Sequence, residues 1–324
     1  MGRLTGHLST PQPVSVQENK NVAPTTSQQV VEPDDGYDAM AQVTVGADLA
    51  LKASQLGSTS AVTVLDFSDR SGIDFGGWGQ YFRSKSEDTS TIAGSNAWGN
   101  AKKCKIKLPK NCTQIHSRAF SGMSGLVELD ASAVEGSLFV GSRAIFGNPL
   151  LATAGTAFWS KLKTVTTNSI RPSTGNGVVS IFEEGNDISA PNLDTVEPLD
   201  GYDSYCFAGC GFKSFTAPKL PRITESMFSG CRNMVSADFT DADSIAASAF
   251  ANCTNLTDLY LRGSSVVTLS NTNAFSNTPA LTSPSTFTLH VPADLVDGYK
   301  GASNWTALYN GGSGINIVAI QEGE

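Results

Sequence analysis

Apolar side chains return along the second half of the chain at a nearly fixed interval. Three nine-residue segments with apolar ends show it: ISAPNLDTV at Ile188 to Val196, FTAPKLPRI at Phe215 to Ile223, and ADFTDADSI at Ala237 to Ile245. After the closing isoleucine come Met227, Phe228, Ser229, Gly230 and Cys231 in one copy, and Ala249, Phe250, Ala251, Asn252 and Cys253 in the next. Phe207, Ala208, Gly209 and Cys210 supply a third instance. Phe207 to Phe228 is 21 residues and Phe228 to Phe250 is 22. A unit of about 22 residues is too short to bury its own apolar face, so it reads as one coil of a solenoid whose neighbours complete its core. Stacked coils pair strands about 4.8 Å apart, which makes residues at equal repeat positions into ladders of Phe, Ile, Leu and Cys. Cys210, Cys231 and Cys253 are therefore expected to stack inside as small residues in a fixed slot, rather than to form a redox or metal ladder.

Earlier copies are more degenerate. Ile115, Phe120, Met123, Leu126 and Leu129 keep the spacing, and Ile145, Phe146 and Pro149 begin another unit before an irregular stretch near residues 153 to 187. Phe275 follows Leu269 with a looser spacing. The count and period predict roughly six or seven coils with one or two insertions. Lys103, Lys105 and Lys107 alternate with Cys104, Ile106 and Leu108, giving a strand with one solvated and one apolar face, and Val62 to Phe67 is a second strand before the array. The ending predicts a cap: a strand from Phe287 to Val291, a helix started by Pro292, and Trp305 folded back as an apolar lid. The segment before residue 50 alternates short Val-rich runs with Pro, Asp and Gly, including Val30, Val31, Pro33 and the turn-forming Asp34, Asp35 and Gly36. Its few apolar residues need a partner surface, so it reads as an attachment module. The expected organisation is an N-terminal β attachment module at 1–50, a cap or linking region at 51–104, the solenoid at 105–286 and a C-terminal cap at 287–324.

Composition supports short strands over long helices. Only 16% of the 324 residues are charged, against roughly 25% in ordinary soluble proteins, and Ser, Thr, Asn and Gly have taken their place. The expected fold class is mainly β with short helical turns, a solenoid preceded by a small β module. With 22 Lys plus Arg against 30 Asp plus Glu, the net charge of -8 opposes binding to nucleic acid or an anionic bilayer. No stretch approaches the roughly 18 apolar residues of a membrane span, so membrane insertion is not expected. The first twenty residues contain no apolar core of a secretory signal, and the expectation is a chain that assembles in the cytoplasm. Six cysteines are far below disulfide-scaffold density and fit no zinc spacing, and no nucleotide or metalloprotease fingerprint is present. No cofactor, metal or catalytic residue is expected.

The units ITESMFSGCRNMVSADF and IAASAFANCTNLTDLYL resemble BspA-like leucine-rich repeats, of the form I-x-x-x-A-F-x-x-C-x-x-L-x-x-L, and HVPADLVDGYKGASNW is similar to the unit that closes such arrays in proteins of gut bacteria and their phages. The resemblance covers about 105 to 320 and implies a fold used for surface display and adhesion rather than a shared chemistry. The pattern from Thr25 to Val45 resembles a short module of predicted phage virion proteins.

Candidate chemistry is sparse. His7, His116 and His290 are far apart in the chain and read as surface or satisfied residues. Asp238, Asp241 and Asp243 cluster without the ligand spacing of a calcium loop and are explained by turns. A glycan-cleaving enzyme needs two carboxylates facing across a groove. Glu183 and Glu184 are adjacent and would diverge if their segment were a strand, while Asp69 and Asp74 are a similarly loose pair. The best candidate for recognition is the Gly-rich stretch IDFGGWGQYFRS, with Trp78 and Tyr81, followed by Trp98. Such rings either stack on sugars or cap the first coil and an oligomer contact.

The function expected from these readings is a non-enzymatic phage structural or decoration protein on the virion surface. Its N-terminal module would contact other virion proteins, and its solenoid a host-surface protein or glycan. By analogy with fibres it would be a homo-oligomer, with the trimer as the common form. The alternatives are a bacterial cell-surface adhesin of the same repeat family and a glycan-degrading tail enzyme.

Overall fold

A computed structural model describes residues 104–108, 110, 112–115, 120, 126–145, 147–148, 151–166, 169–170, 182–197, 205–321 and 323, together with 29–31, 63–66 and 68. The first strands are β1 (Gln29–Val31), β2 (Thr63–Asp66), β3 (Cys104–Lys107), β4 (Gln114–Ile115), β5 (Leu126–Asp130) and β6 (Leu138–Val140). Then come helix α1 (Gly155–Lys161), β7 (Leu162–Thr166), β8 (Asp187–Ser189), β9 (Thr195–Glu197), β10 (Ser214–Thr216) and β11 (Arg222–Ile223). The array ends with β12 (Ser236–Phe239), β13 (Ser244–Ile245), β14 (Asp258–Leu261), β15 (Thr268–Leu269) and β16 (Thr288–Val291). Helices α2 (Val296–Gly301) and α3 (Trp305–Tyr309) and strand β17 (Asn316–Ala319) close the chain.

Every strand pairing described is parallel, and strands of successive coils are neighbours. This is the expected solenoid of short strands with few short helices. The main wall is a four-stranded sheet in the order β1-β2-β3-β5 and a six-stranded sheet in the order β17-β16-β14-β12-β10-β8. Two smaller sheets, β4-β6-β7-β9 and β11-β13-β15, form a second wall. One inward row crosses the large sheet in register: Ile188, Phe215, Ala237, Leu259, Leu289 and Ile317, all buried. The second wall supplies Ile223, Ile245 and Leu269 as another row. Alternation along each strand aims these residues at the core and their neighbours at solvent.

Between the walls runs a column of phenylalanines. Phe207 and Phe228 lie 5.5 Å apart between centroids, Phe228 and Phe250 5.4 Å, and Phe250 and Phe275 5.6 Å, with the last two pairs inclined by only 8°. Two residues after each phenylalanine the chain enters the left-handed region, at Gly209 (φ 75°), Gly230 (φ 78°), Asn252 (φ 63°) and Asn277 (φ 56°). Glycine and asparagine tolerate that conformation, and so both occupy this repeat position. The next position holds Cys210, Cys231 and Cys253, all fully buried. Each thiol donates to a main-chain carbonyl of an earlier coil: Cys210 to Ile170 (3.4 Å), Cys231 to Phe207 (3.2 Å) and Cys253 to Phe228 (3.1 Å). Thr278 fills the same slot in the last full coil and donates to Phe275 O at 2.7 Å. The slot thus selects a small donor, more than the merely small side chain its size suggested. Burial pushes the Cys210 and Cys253 thiols well above their ordinary range, which suits them to packing and not to thiolate chemistry.

The wall is interrupted once. After β5 the next coil pairs with it over a single bridge, Thr153 opposite Glu128, with Ala152 N–H donating to Val127 O at 2.9 Å and Leu129 N–H to Thr153 O at 3.1 Å, and then forms α1, whose residues contact both β5 and β8. Trp159 of α1 is 1% exposed and meets Phe158, Phe182, Phe207, Phe212 and Phe215 at centroid distances of 5.5–6.2 Å. The irregular stretch foreseen near 153–187 therefore contains a helix that plugs the space between two sheets.

At the far end, Trp305 is fully buried beside Phe275 at 6.1 Å and donates its Nε1–H to Val267 O at 2.8 Å. Tyr299 of α2 accepts from Val267 N–H at 3.0 Å. The cap closes the phenylalanine column with an aromatic lid and satisfies both backbone groups of Val267, one with each ring. Pro292 lies ahead of a 3-10 turn at Ala293–Leu295, and α2 follows it.

Candidate binding surface on the sheet

Because the six-stranded sheet is in register, its solvent side carries rows as ordered as those of its core. One row reads Asp187, Ser214, Ser236, Asp258, Thr288 and Asn316, and the next Ser189, Thr216, Asp238, Tyr260, His290 and Val318. Stacking like charges along such a row would be unfavourable. Here carboxylates are matched with cations or hydroxyl groups one coil away. Ser214 donates to Asp187 at 2.7 Å and Lys213 approaches the same carboxylate at 3.7 Å. Arg262 grips Asp238 with Nε at 2.9 Å and Nη2 at 2.8 Å, and His290 Nε2 lies 2.9 Å from Asp258. On the N-terminal sheet, Lys105 meets Glu128 at 2.7 Å and Asp130 at 3.1 Å. Partial burial alone would lower the Lys105 ammonium, but hydrogen bonding and attraction to the two carboxylates outweigh it and raise it. Burial likewise pushes Asp130 up, and hydrogen bonds from Ser132 together with Lys105 override that and hold it below the usual range.

The densest part of this face surrounds Tyr260. Its ring stacks on His290 at 4.1 Å and 13°, and the Arg262 guanidinium carbon lies 5.0 Å from its centroid. Arg262 is held on the β12 side by Asp238, and His290, only 8% exposed, stands on β16, so the half-buried tyrosine is clamped between them. The result is a rigid amphipathic cluster presenting a phenol, a guanidinium and two carboxylates. Held in place in this way, such a cluster has little rotamer entropy left to lose on contact with a partner. The alternation Asp258, Leu259, Tyr260, Leu261, Arg262 is the sequence signal for it: apolar residues face inward and the chemistry faces outward. Sequence reasoning singled out His290 and Asp238 separately and did not join them through Tyr260 and Arg262.

Other candidates fall out differently. Glu183 and Glu184 diverge, through a turn and not through strand alternation: Glu184 is exposed and Glu183 is 2% exposed. The Glu183 carboxylate accepts from Ala154 N–H (2.8 Å), Trp159 Nε1–H (2.9 Å), Thr153 Oγ1 (3.0 Å) and Asn186 Nδ2 (2.8 Å). It is a structural anchor for α1 and does not reach solvent as a hydrolytic acid must. Asp243 accepts from Ser244 Oγ at 2.7 Å, as turn chemistry requires. Among the described residues no group of three or more His, Cys, Asp and Glu is placed to hold a metal ion, and no helix is long and apolar enough to cross a membrane. Trp78, Tyr81 and Trp98 lie outside the described residues, as do His7, His116, Asp69 and Asp74.

Residues 84–151 and 186–289, a little over half of the chain, match the BspA type leucine rich repeat region in 6 copies. No curated protein matches the chain.

Proposed function

The chain belongs to the BspA-type leucine-rich repeat family, and from that premise we propose that it is a non-enzymatic virion structural or decoration protein whose solenoid adheres to a host-surface protein or glycan. Repeats of this family are in general surface-adhesion domains. The observation that carries the reading is the ordered solvent face of the six-stranded sheet, where Asp238, Arg262, Tyr260, His290 and Asp258 form one clamped cluster on a stacked core. A solenoid spreads such a face over many coils, which suits contact with an extended partner.

The virion assignment draws on the segment from Thr25 to Val45, whose pattern resembles modules of predicted virion proteins. In this reading residues 1–50 engage other virion proteins, and β1, the outermost of the described strands in its sheet, is where that attachment joins the solenoid. The particle holds several copies of the chain, a trimer being the form common among fibres. Mass spectrometry of purified particles tests this: the chain is expected at a fixed copy number, and its absence from particles overturns the assignment. The family's general role favours a second reading, a bacterial cell-surface adhesin, for which the chain would be recovered in the cell-envelope fraction instead.

A further inference from the structure

The last coil carries a longer connection to its next strand than the coils before it. From the buried donor slot to the start of the next strand, successive coils take five residues, Cys231 to Ser236 and Cys253 to Asp258, whereas the last takes ten, Thr278 to Thr288. Of this stretch Ala280 and Phe287 are buried, Phe287 against Phe275 at 5.3 Å, and the rest add no ring to the phenylalanine column. The stretch forms an overhang that begins with the 3-10 turn Pro279–Leu281 and is tied by its own hydroxyls. Thr282 Oγ1 and Ser285 Oγ both donate to Pro279 O, at 2.8 and 2.9 Å, and Ser285 Oγ accepts from Phe287 N–H at 3.1 Å.

Between this overhang and Thr254 of the preceding coil lies an open groove of about 590 Å³. That volume falls within the range of roughly 300–1,000 Å³ typical of small-ligand sites. The groove has three chemical properties. No Asp, Glu, Lys, Arg or His lines it. Leu281, 49% exposed, and Pro279 give it an aliphatic surface. Around them stand the hydroxyls of Thr254, Ser276 and Thr286, which make no hydrogen bond among the described residues. Asn277 spends one N–H on Asn252 Oδ1 at 2.9 Å and keeps its carbonyl oxygen and second N–H for the groove.

We propose that this groove binds a short neutral saccharide, a site separate from the sheet face that rests on the adhesion reading only for the class of ligand. Anions and cations find no countercharge there, and an apolar ligand would strand the hydroxyls. A sugar ring matches both halves, laying its C–H face on Leu281 and Pro279 while its rim hydroxyls exchange hydrogen bonds with Thr254, Ser276, Asn277 and Thr286. The tied overhang presents these groups in place, which reduces the ordering cost of binding.

The test is saturation-transfer NMR and titration calorimetry of the full chain with maltotriose, cellotriose and triacetylchitotriose. Trigalacturonate and a neutral Ser/Thr-rich hexapeptide serve as comparators. At least one neutral trisaccharide is expected to bind saturably. Leu281→Asp and Thr254→Arg, both at exposed positions, should each weaken it about tenfold or more with unchanged melting, while Tyr260→Ala leaves it intact. No neutral trisaccharide binding up to about 10 mM, preference for trigalacturonate or the peptide, or binding insensitive to Leu281 and Thr254 each overturns the proposal. If binding is instead lost only in Tyr260→Ala, the groove fails while adhesion through the sheet stands. Saccharide binding by a chain that does not attach to host cells would sink the adhesion reading and leave the groove.

Discussion

At the scale of single residues the structure rests on side chains that recur. Phe250 lies between Phe228 and Phe275 and also touches Phe239 at 6.5 Å, so truncating it opens a cavity that neither neighbour can fill without leaving its own stack. Phe250→Ala should lower unfolding free energy by about 3–5 kcal/mol in urea titrations, whereas Leu281→Ala should change it by less than about 0.5 kcal/mol. Equal effects would contradict the column as the core. Tyr299 gives a pH signature. Burial pushes its phenol up to about 12, with the Val267 N–H pulling the other way, against an ordinary value of about 10. Below pH 10 both folded and unfolded chains keep the proton and the contribution is fully present. Between about 10 and 12 the unfolded chain ionises first, so stability falls as pH rises through that window. Tyr299→Phe should flatten the decline of the melting temperature there, while costing about 1–3 kcal/mol at neutral pH because the Val267 N–H loses its acceptor. Parallel declines in the two proteins would refute this. The repeated residues were legible in sequence because Phe207, Phe228 and Phe250 recur 21 and 22 residues apart. The donor role of the cysteine slot was not, since it depends on where an earlier coil's carbonyl points.

Among elements, α1 shows why a break in the repeat is harder to read than the repeat. It is seven residues long, with Gly155 at its start donating its N–H to Thr153 Oγ1 at 2.9 Å and no side-chain hydrogen bond from its N-cap residue Ala154. Its anchor, Glu183, lies 29 residues beyond Ala154 in sequence. No local signal encodes a helix held by a carboxylate from the following coil. Glu183→Gln keeps the shape but sets an amide N–H₂ against groups that donate. We expect a loss of about 2 kcal/mol in stability, and red-shifted tryptophan emission at intermediate urea as Trp159 loosens ahead of the C-terminal coils. Emission and circular dichroism transitions that coincide with those of the wild type would show that Glu183 does not anchor α1. The overhang of the last coil was not foreseen: the loose spacing noted in sequence lies ahead of it, between Leu269 and Phe275. Its physical content, a hydroxyl-lined groove, arises from three-dimensional closure against Thr254.

For the whole molecule, stacking dictates both the core and the opposite face of the sheet. The same register that aligns Ile188, Phe215, Ala237, Leu259, Leu289 and Ile317 inside aligns Asp238, Tyr260 and His290 outside. The fold class was therefore readable from the period alone, while the Tyr260 cluster needed the register, because its members come from three coils. The central claim is that this face meets the host without chemistry. It is tested most directly by titrating fluorescently labelled chain onto intact host cells, with reducing ends assayed in the supernatant. The account predicts saturable binding that unlabelled chain displaces, that falls about tenfold or more in Tyr260→Ala with melting preserved, and that releases no sugar. Absence of saturable binding, or release of reducing ends by the intact chain, would contradict it.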